Sequence, residues 1–171
     1  MLGKVLIVLV GLLTVSQSFA QQQEEITPKN SWLKAGVSAS IPVGDVADYS
    51  AFAAGLELSG QVMATKKFGL GLATGYTHFF AKENADGFGT IPVGLLLRFY
   101  PQAEGFFAGA DVGYTILTKD NNPGGIYIKP QLGYHNYNWN FYGFYNHVFR
   151  KEGYIDIQNA GVAATYNIRF K

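Results

Sequence analysis

Three histidines, His78, His135 and His147, are the side chains of this sequence best suited to acid–base or metal chemistry. A catalytic histidine activates a nucleophile within hydrogen-bond reach, and none of the three has a serine two residues away on the same face of a strand. The sequence contains no cysteine, and we find no third ligand to join His78 and His147 in a metal site. We therefore expect no catalytic residue, no metal site and no cofactor.

Charged residues recur in a second setting, on the smaller or more polar face of segments whose other face is apolar. They are Lys34, Glu57, Arg98, Asp111 and Lys129. If these segments enclose an interior, the charges are buried in it, and an unpaired buried charge is costly. We expect the five side chains to form a hydrogen-bonded polar network that fills this interior, and we do not expect a reaction centre.

The segments that carry these charges alternate large apolar side chains with small or polar ones. In the last segment, Val162, Ala164, Tyr166, Ile168 and Phe170 share one face. Alternation with a period of two is typical of β-strands that have one apolar face. The predicted strands cover residues 32–41, 51–64, 68–80, 90–100, 105–117, 125–136, 138–149 and a final stretch that includes 161–170.

Eight such strands predict an all-β fold, an eight-stranded antiparallel up-and-down transmembrane β-barrel. A bilayer core has no water to satisfy the backbone, so strands can cross it only in a closed barrel, and single-chain bacterial barrels have an even number of strands. The connections at 42–50, 81–89 and 118–124 are longer than those at 65–67, 101–104 and near 137. This asymmetry is expected if the longer connections lie outside and both termini are periplasmic.

Two prolines fall within predicted strands, although proline cannot donate a ladder hydrogen bond. Pro92 lies near a strand end, where its effect is tolerable. Pro130 lies in the middle of its strand, so we expect a β-bulge there.

The N-terminal 20 residues have the features of a secretory signal peptide. Lys4 precedes an apolar run over 5–15, and Ser18-Phe19-Ala20 forms a small-x-small cleavage site. Residues 21–31 are polar and are expected to form a periplasmic leader before a barrel over 32–171. The net charge of +1 gives no reason to expect a nucleic-acid partner. We expect a monomer surrounded by outer-membrane lipid.

Three functions remain open on the alternation alone. A filled polar lumen predicts a non-enzymatic structural or surface-interaction protein of the cell envelope. A narrow channel for small or apolar solutes is an alternative, although a barrel of about eight strands has an interior that side chains can fill. A soluble lipocalin-like ligand-binding barrel is another alternative, and it requires the apolar face to point inward.

Several stretches give the chain a resemblance to a known family. They are Ala35-Gly36-Val37-Ser38, residues 71–76, residues 91–100, residues 107–114 and residues 166–170. In these stretches the chain resembles the small bacterial outer-membrane β-barrel domain family, which is eight-stranded and porin-like. The resemblance implies location in the cell outer membrane. It also implies that Tyr166, Ile168 and Phe170 form an assembly signal read by the barrel assembly machinery.

Overall fold

The computed structural model describes residues 31–83, 85–119 and 122–169. The predicted signal peptide, the leader up to residue 30, and Phe170 and Lys171 lie outside these ranges. Most described residues belong to strands with β-branched and aromatic side chains at alternate positions. The strands are β1 (Ser31–Val43), β2 (Ser50–Met63), β3 (Phe68–Ala81), β4 (Phe88–Phe99), β5 (Gly105–Leu117), β6 (Gly125–His135), β7 (Trp139–Phe149) and β8 (Ile157–Arg169). A short 3-10 helix (Gly44–Asp48) follows β1.

The strands form one closed sheet. Each strand pairs antiparallel with the next, and β1 also pairs with β8. In this closing pair Leu33 lies opposite Ile168, and Val43 lies opposite Gln158. The predicted eight-stranded antiparallel up-and-down barrel is confirmed. No helix among the described residues is long and apolar enough to cross a membrane.

The connections differ in length at the two ends of the barrel. At one end, here the turn end, the connections are 64–67, 100–104 and 136–138. At the other, the loop end, they are 44–49, 82–87, 118–124 and 150–156. The predicted difference in length is therefore present. The three shorter connections lie at one end of the barrel and the longer ones at the other, as the order of the strands predicts.

The apolar face of every strand points outward. Leu72, Leu95 and Val162 are each about two-thirds exposed, whereas inward-facing Arg98 and Asp111 are 6% and 4% exposed. An outer wall of exposed Leu, Val, Ile and Phe suits lipid, because water would penalise that much apolar surface. A lipocalin-like barrel requires the opposite facing, so that alternative is wrong.

The bulge expected at Pro130 is also wrong. Pro130 pairs with Ala110 of β5 in an unbroken register. On the β7 side, pairing stops after Ile128 and resumes at Gln131 without a change of register. In antiparallel sheets the N–H and C=O of one residue point to the same neighbour, so a missing donor interrupts only one ladder. A register shift occurs elsewhere in the sheet, in the pairing of β2 with β3, between Ser50 and Phe52.

Candidate functional site in the barrel lumen

Apolar and aromatic side chains close the lumen near both ends. The turn-end cluster consists of Trp32, Met63, Tyr100, Phe107, Tyr142, Phe144 and Ala163. The loop-end cluster consists of Val46, Ala53, Phe79, Tyr127, Val148 and Ile157, with Phe88 and Leu117 packed against it. Aromatic rings fill cross-section efficiently because each buries a large area. The polar residues of the lumen therefore lie among and between two apolar layers.

Arg98 and Asp111 form a buried ion pair on neighbouring strands. Arg98 Nη1 lies 2.7 Å from Asp111 Oδ1, and the two side chains are 6% and 5% exposed. The other carboxylate oxygen of Asp111 accepts a hydrogen bond from Gln131 Nε2 at 2.6 Å. Gly109 lies opposite Arg98 in the ladder, and a Cβ there would lie 2.5 Å from Arg98 Cδ. The glycine therefore provides the space along which the arginine side chain runs.

Lys129 and Glu57 form a second ion pair that joins opposite walls of the lumen. These residues belong to β6 and β2, which are not neighbours in the sheet. Lys129 Nζ lies 2.7 and 2.8 Å from the two carboxylate oxygens of Glu57. It also lies 4.3 Å from the ring centroid of Phe144, which is within cation–π distance. This contact spans the lumen and obstructs its cross-section.

Lys34 makes a different set of contacts from the other four charges. Its Nζ donates to Tyr100 Oη at 2.8 Å, and Tyr100 Oη donates in turn to Gln61 Oε1 at 2.9 Å. A longer contact of 3.4 Å reaches Asn140 Oδ1. Within the described ranges Lys34 has no carboxylate at ion-pair distance. The structure thus places all five predicted charges inside the barrel and joins four of them as two ion pairs.

A small cavity remains between the ion pairs and the loop-end cluster. Its volume is about 30 Å³, which is room for about one or two water molecules. Glu57, Asp111, Lys129, Thr115 and Asn159 are among its lining residues. A cavity of this size can hydrate polar groups but is too small for an organic substrate.

His78 and His135 lie on opposite faces of the wall. His78 is on the outer face, where its Nδ1 lies 3.2 Å from Tyr76 Oη and its ring contacts Phe80. His135 points into the turn-end cluster, with its ring centroid 4.6 Å from that of Tyr100. Its Nε2 has no hydrogen-bond partner among the described residues. Neither histidine therefore has the neighbouring groups of a catalytic base.

His147 lies on the outer face beside the last loop. Its Nε2 is 2.9 Å from Asp156 Oδ2, and the other oxygen of Asp156 accepts the backbone N–H of Arg150 at 2.8 Å. The hydrogen bond from the Arg150 backbone, with that of His147, lowers the pKa of the Asp156 carboxyl. A histidine–carboxylate pair can activate a hydroxyl, but the described residues supply no serine in this contact. No group of three potential metal ligands occurs among the described residues.

Two of the predicted assembly residues, Tyr166 and Ile168, lie on the outer face of β8. Tyr166 and Ile168 are 43% and 40% exposed. The Tyr166 ring packs edge-on against Trp139 with centroids 5.1 Å apart. These rings form an aromatic patch at the turn end of the wall, as expected for an interfacial girdle. Phe170 lies outside the described residues.

Sequence reasoning missed most of the apolar residues that close the lumen. Phe79, Phe107 and Tyr127 are each at most 2% exposed. Each is separated by an even number of positions from inward residues of its own strand and so lies on the same face. Tyr127, for example, lies two positions before Lys129. If the alternation had been followed to both ends of each strand, these residues would have been assigned to the lumen. Their residue types gave no help, because aromatics also belong to the outer girdle.

Comparisons with known proteins support the fold and give no family. No family model matches the chain, and no curated protein matches it. Solved structures do match. The attachment invasion locus protein Ail of Yersinia pestis is 13% identical with a TM-score of 0.56, over 81% of this chain and 98% of that one.

Two further structures match to a similar extent. The N-terminal β-barrel domain of Pseudomonas aeruginosa OprF is 15% identical with a TM-score of 0.52, over 81% of this chain and 98% of that one. A de novo designed transmembrane β-barrel is 11% identical with a TM-score of 0.52, over 84% and 99%. At such identities the likeness is one of fold. The chain has the eight-stranded fold of small transmembrane β-barrels.

Proposed function

We propose that this chain is a non-enzymatic integral protein of the cell outer membrane, with a filled lumen and a structural or surface-interaction role. The observation that carries this proposal is the content of the lumen. Ion pairs and their hydrogen-bond partners lie across it, and aromatic clusters occupy both of its ends. A filled interior stabilises the wall and leaves recognition to the loops outside.

The same observation weighs against the alternative of a narrow channel. A conducted solute would have to separate Lys129 from Glu57 and displace rings such as Tyr127 and Tyr100, both 1% exposed. Breaking a buried ion pair is costly because it leaves an uncompensated charge. The cavity lined by Glu57 and Lys129, with a volume of about 30 Å³, is too small to hold an organic solute.

Location in the outer membrane is supported by the wall and by the neighbours in fold. The wall is apolar, as a bilayer requires. Ail is described as an outer membrane protein of Yersinia pestis. By resemblance, we also propose that the barrel assembly machinery reads the C-terminal segment that includes Tyr166, Ile168 and Phe170.

Fractionation tests the proposal directly. The full chain is expressed in a Gram-negative host, the membranes are separated by density, and the protein is run on gels with and without boiling. We expect it in the outer-membrane fraction, with a mobility that changes on boiling because a closed barrel resists detergent unfolding. Recovery in the soluble fraction, or a mobility insensitive to boiling, would contradict the proposal.

A further inference from the structure

A pocket of about 260 Å³ lies at the loop end of the barrel, on the outer side of the loop-end cluster. It is separate from the small cavity in the lumen and shares none of its lining residues. Loops from all four loop-end connections contribute to its wall. Pockets for drug-sized ligands are typically about 300–1,000 Å³, and this pocket lies just below that range, so it suits a ligand smaller than those.

The floor of the pocket is apolar. Val46 and Ile157 are each 1% exposed, and Phe88 and Leu117 pack against the same cluster. Ile155 lies higher in the wall and remains 38% exposed. Phe88, Leu117 and Ile157 are the loop-end residues of β4, β5 and β8, so the floor lies where the strands give way to the loops. An apolar group of a ligand that contacts this floor would be removed from water without any rearrangement of the protein.

Arg150, in the wall, directs its guanidinium hydrogen bonds to neutral groups, and the charge of the Asp156 carboxylate acts on it from beyond ion-pair distance. The guanidinium of Arg150 donates to Pro123 O at 3.2 Å, Ile155 O at 3.3 Å and Asn122 Oδ1 at 2.9 Å. All of these acceptors are neutral. No carboxylate among the described residues lies at ion-pair distance from Arg150. The nearby Asp156 is already occupied by the Arg150 backbone N–H and by His147.

The contacts of Arg150 also hold it in place. They join the β7–β8 loop to the β5–β6 loop, and the Tyr154 ring lies 4.8 Å from the guanidinium. These bonds use three of the guanidinium's N–H groups, and the others are left for a ligand. The other cation of the wall, Lys119, is neutralised by Asp86 at 2.9 Å. The charge left for a ligand is therefore that of a fixed guanidinium.

We propose that this pocket binds a small organic carboxylate, with an aromatic ring or short acyl group against Val46, Ile157 and Leu117 and the carboxylate on Arg150. A planar guanidinium matches a carboxylate in geometry and charge. The apolar floor disfavours a fully hydrated inorganic anion, because such an anion leaves the floor in contact with water. The binding site lies on the loops and is independent of whether the lumen conducts.

Fluorine NMR titration of the full-length barrel in lipid nanodiscs tests this proposal. The probe is para-trifluoromethylbenzoate, and the corresponding neutral benzamide is the matched probe without charge. We expect saturable binding of the benzoate and at least about tenfold weaker binding of the amide, because a hydrogen bond to a charged group is worth more than a neutral one. Empty nanodiscs measure partition into lipid. Equal binding of both probes, or no saturable signal above empty nanodiscs, overturns the proposal.

Variants locate the site. Arg150→Gln should weaken benzoate binding at least about tenfold, whereas Lys151→Gln, which removes an adjacent exposed charge outside the pocket, should leave it unchanged. Ala85→Trp should abolish binding by filling the pocket, and Ala64→Trp, in a turn at the other end, should not. The tryptophan variants leave the Arg150 side chain unsubstituted, so removal of the Arg150 hydrogen bonds cannot be the shared cause of both losses. Unchanged binding in Arg150→Gln and Ala85→Trp overturns the assignment.

Discussion

Replacing Arg98 with alanine removes the positive partner of the most buried ion pair among the described residues. Arg98 and Asp111 are 2.7 Å apart, with side chains 6% and 5% exposed. After the substitution, the Asp111 carboxylate retains only the hydrogen bond from Gln131 at 2.6 Å. Breaking a buried pair in this way costs about 3–5 kcal/mol, which lowers the folded-to-unfolded ratio by more than about a hundredfold.

Urea unfolding of the barrel in lipid vesicles, followed by its heat-modifiable mobility, measures this cost. The matched control is Lys119→Ala, which breaks an ion pair with Asp86 of nearly equal length, 2.9 Å, but with side chains 49% and 83% exposed. An exposed pair is worth about 0–1 kcal/mol. The double variant Arg98→Ala/Asp111→Ala should be more stable than Arg98→Ala, because it leaves no unpaired charge. Equal losses in Arg98→Ala and Lys119→Ala would refute this reasoning.

Three further predictions concern the wall, the end of the chain and the last loop. Leu95→Arg, on the outer face at 64% exposure, should cost about 2–4 kcal/mol in the bilayer and reduce heat-modifiable protein in membranes, while Leu95→Met should not; equal yields would contradict the facing. Phe170→Ala should lower the amount of folded barrel in the outer membrane more than Lys171→Ala does, because the family resemblance implies that Phe170 is part of the assembly signal. Undiminished assembly of the Phe170→Ala variant would contradict this role. The pKa of Asp156 is lowered in the folded state by the backbone of Arg150, so its stabilisation is present above the unfolded pKa of about 3.9 and is lost as the pH falls through the folded pKa. Stability curves of the native chain and Asp156→Asn should therefore converge in acid, and a constant gap down to the lowest pH would contradict this.

Strand number, strand facing and connection lengths could be predicted from the sequence, because each follows from local pattern. Leu95 and Arg98 lie on opposite faces of β4 because their separation is odd. The predicted 105–117 strand agrees with β5 as observed. These features depend on a period of two and on turn residues, and neither requires knowledge of which strands meet across the lumen.

The partners of the lumen charges could not be predicted in the same way. Glu57 pairs with Lys129 across the lumen, and that contact depends on the register and stagger of every strand between them. Lys34 lies near the turn end, where Tyr100 and Asn140 provide oxygen acceptors and no described carboxylate is at ion-pair distance. The residue type and its place in the alternation predict the face on which a side chain lies. They do not predict which residues of other strands lie at the same level along the barrel axis.

Gly94 illustrates the same limit for a substitution. From the alternation, Gly94→Ser on the inner face is expected to be milder than a charge on the outer wall. In the structure, however, a Cβ at this position would lie 2.5 Å from Tyr127 Oη and 2.6 Å from the backbone oxygen of Val112. The ring of Tyr127 could move, but the neighbouring strand could not without disturbing its ladder. The structure therefore predicts that Gly94→Ser strains the pairing of β4 with β5, a cost that the alternation alone does not indicate.

Conductance in planar lipid bilayers tests the filled lumen most directly. The purified full-length barrel is inserted with its folded state verified by heat-modifiable mobility, and a general porin serves as the conducting control. Because the Lys129–Glu57 pair and two aromatic clusters occupy the lumen, we predict insertion without stable conductance steps. Large, stable single-channel currents from the unaltered protein would contradict the filled lumen and with it the proposed non-conducting role.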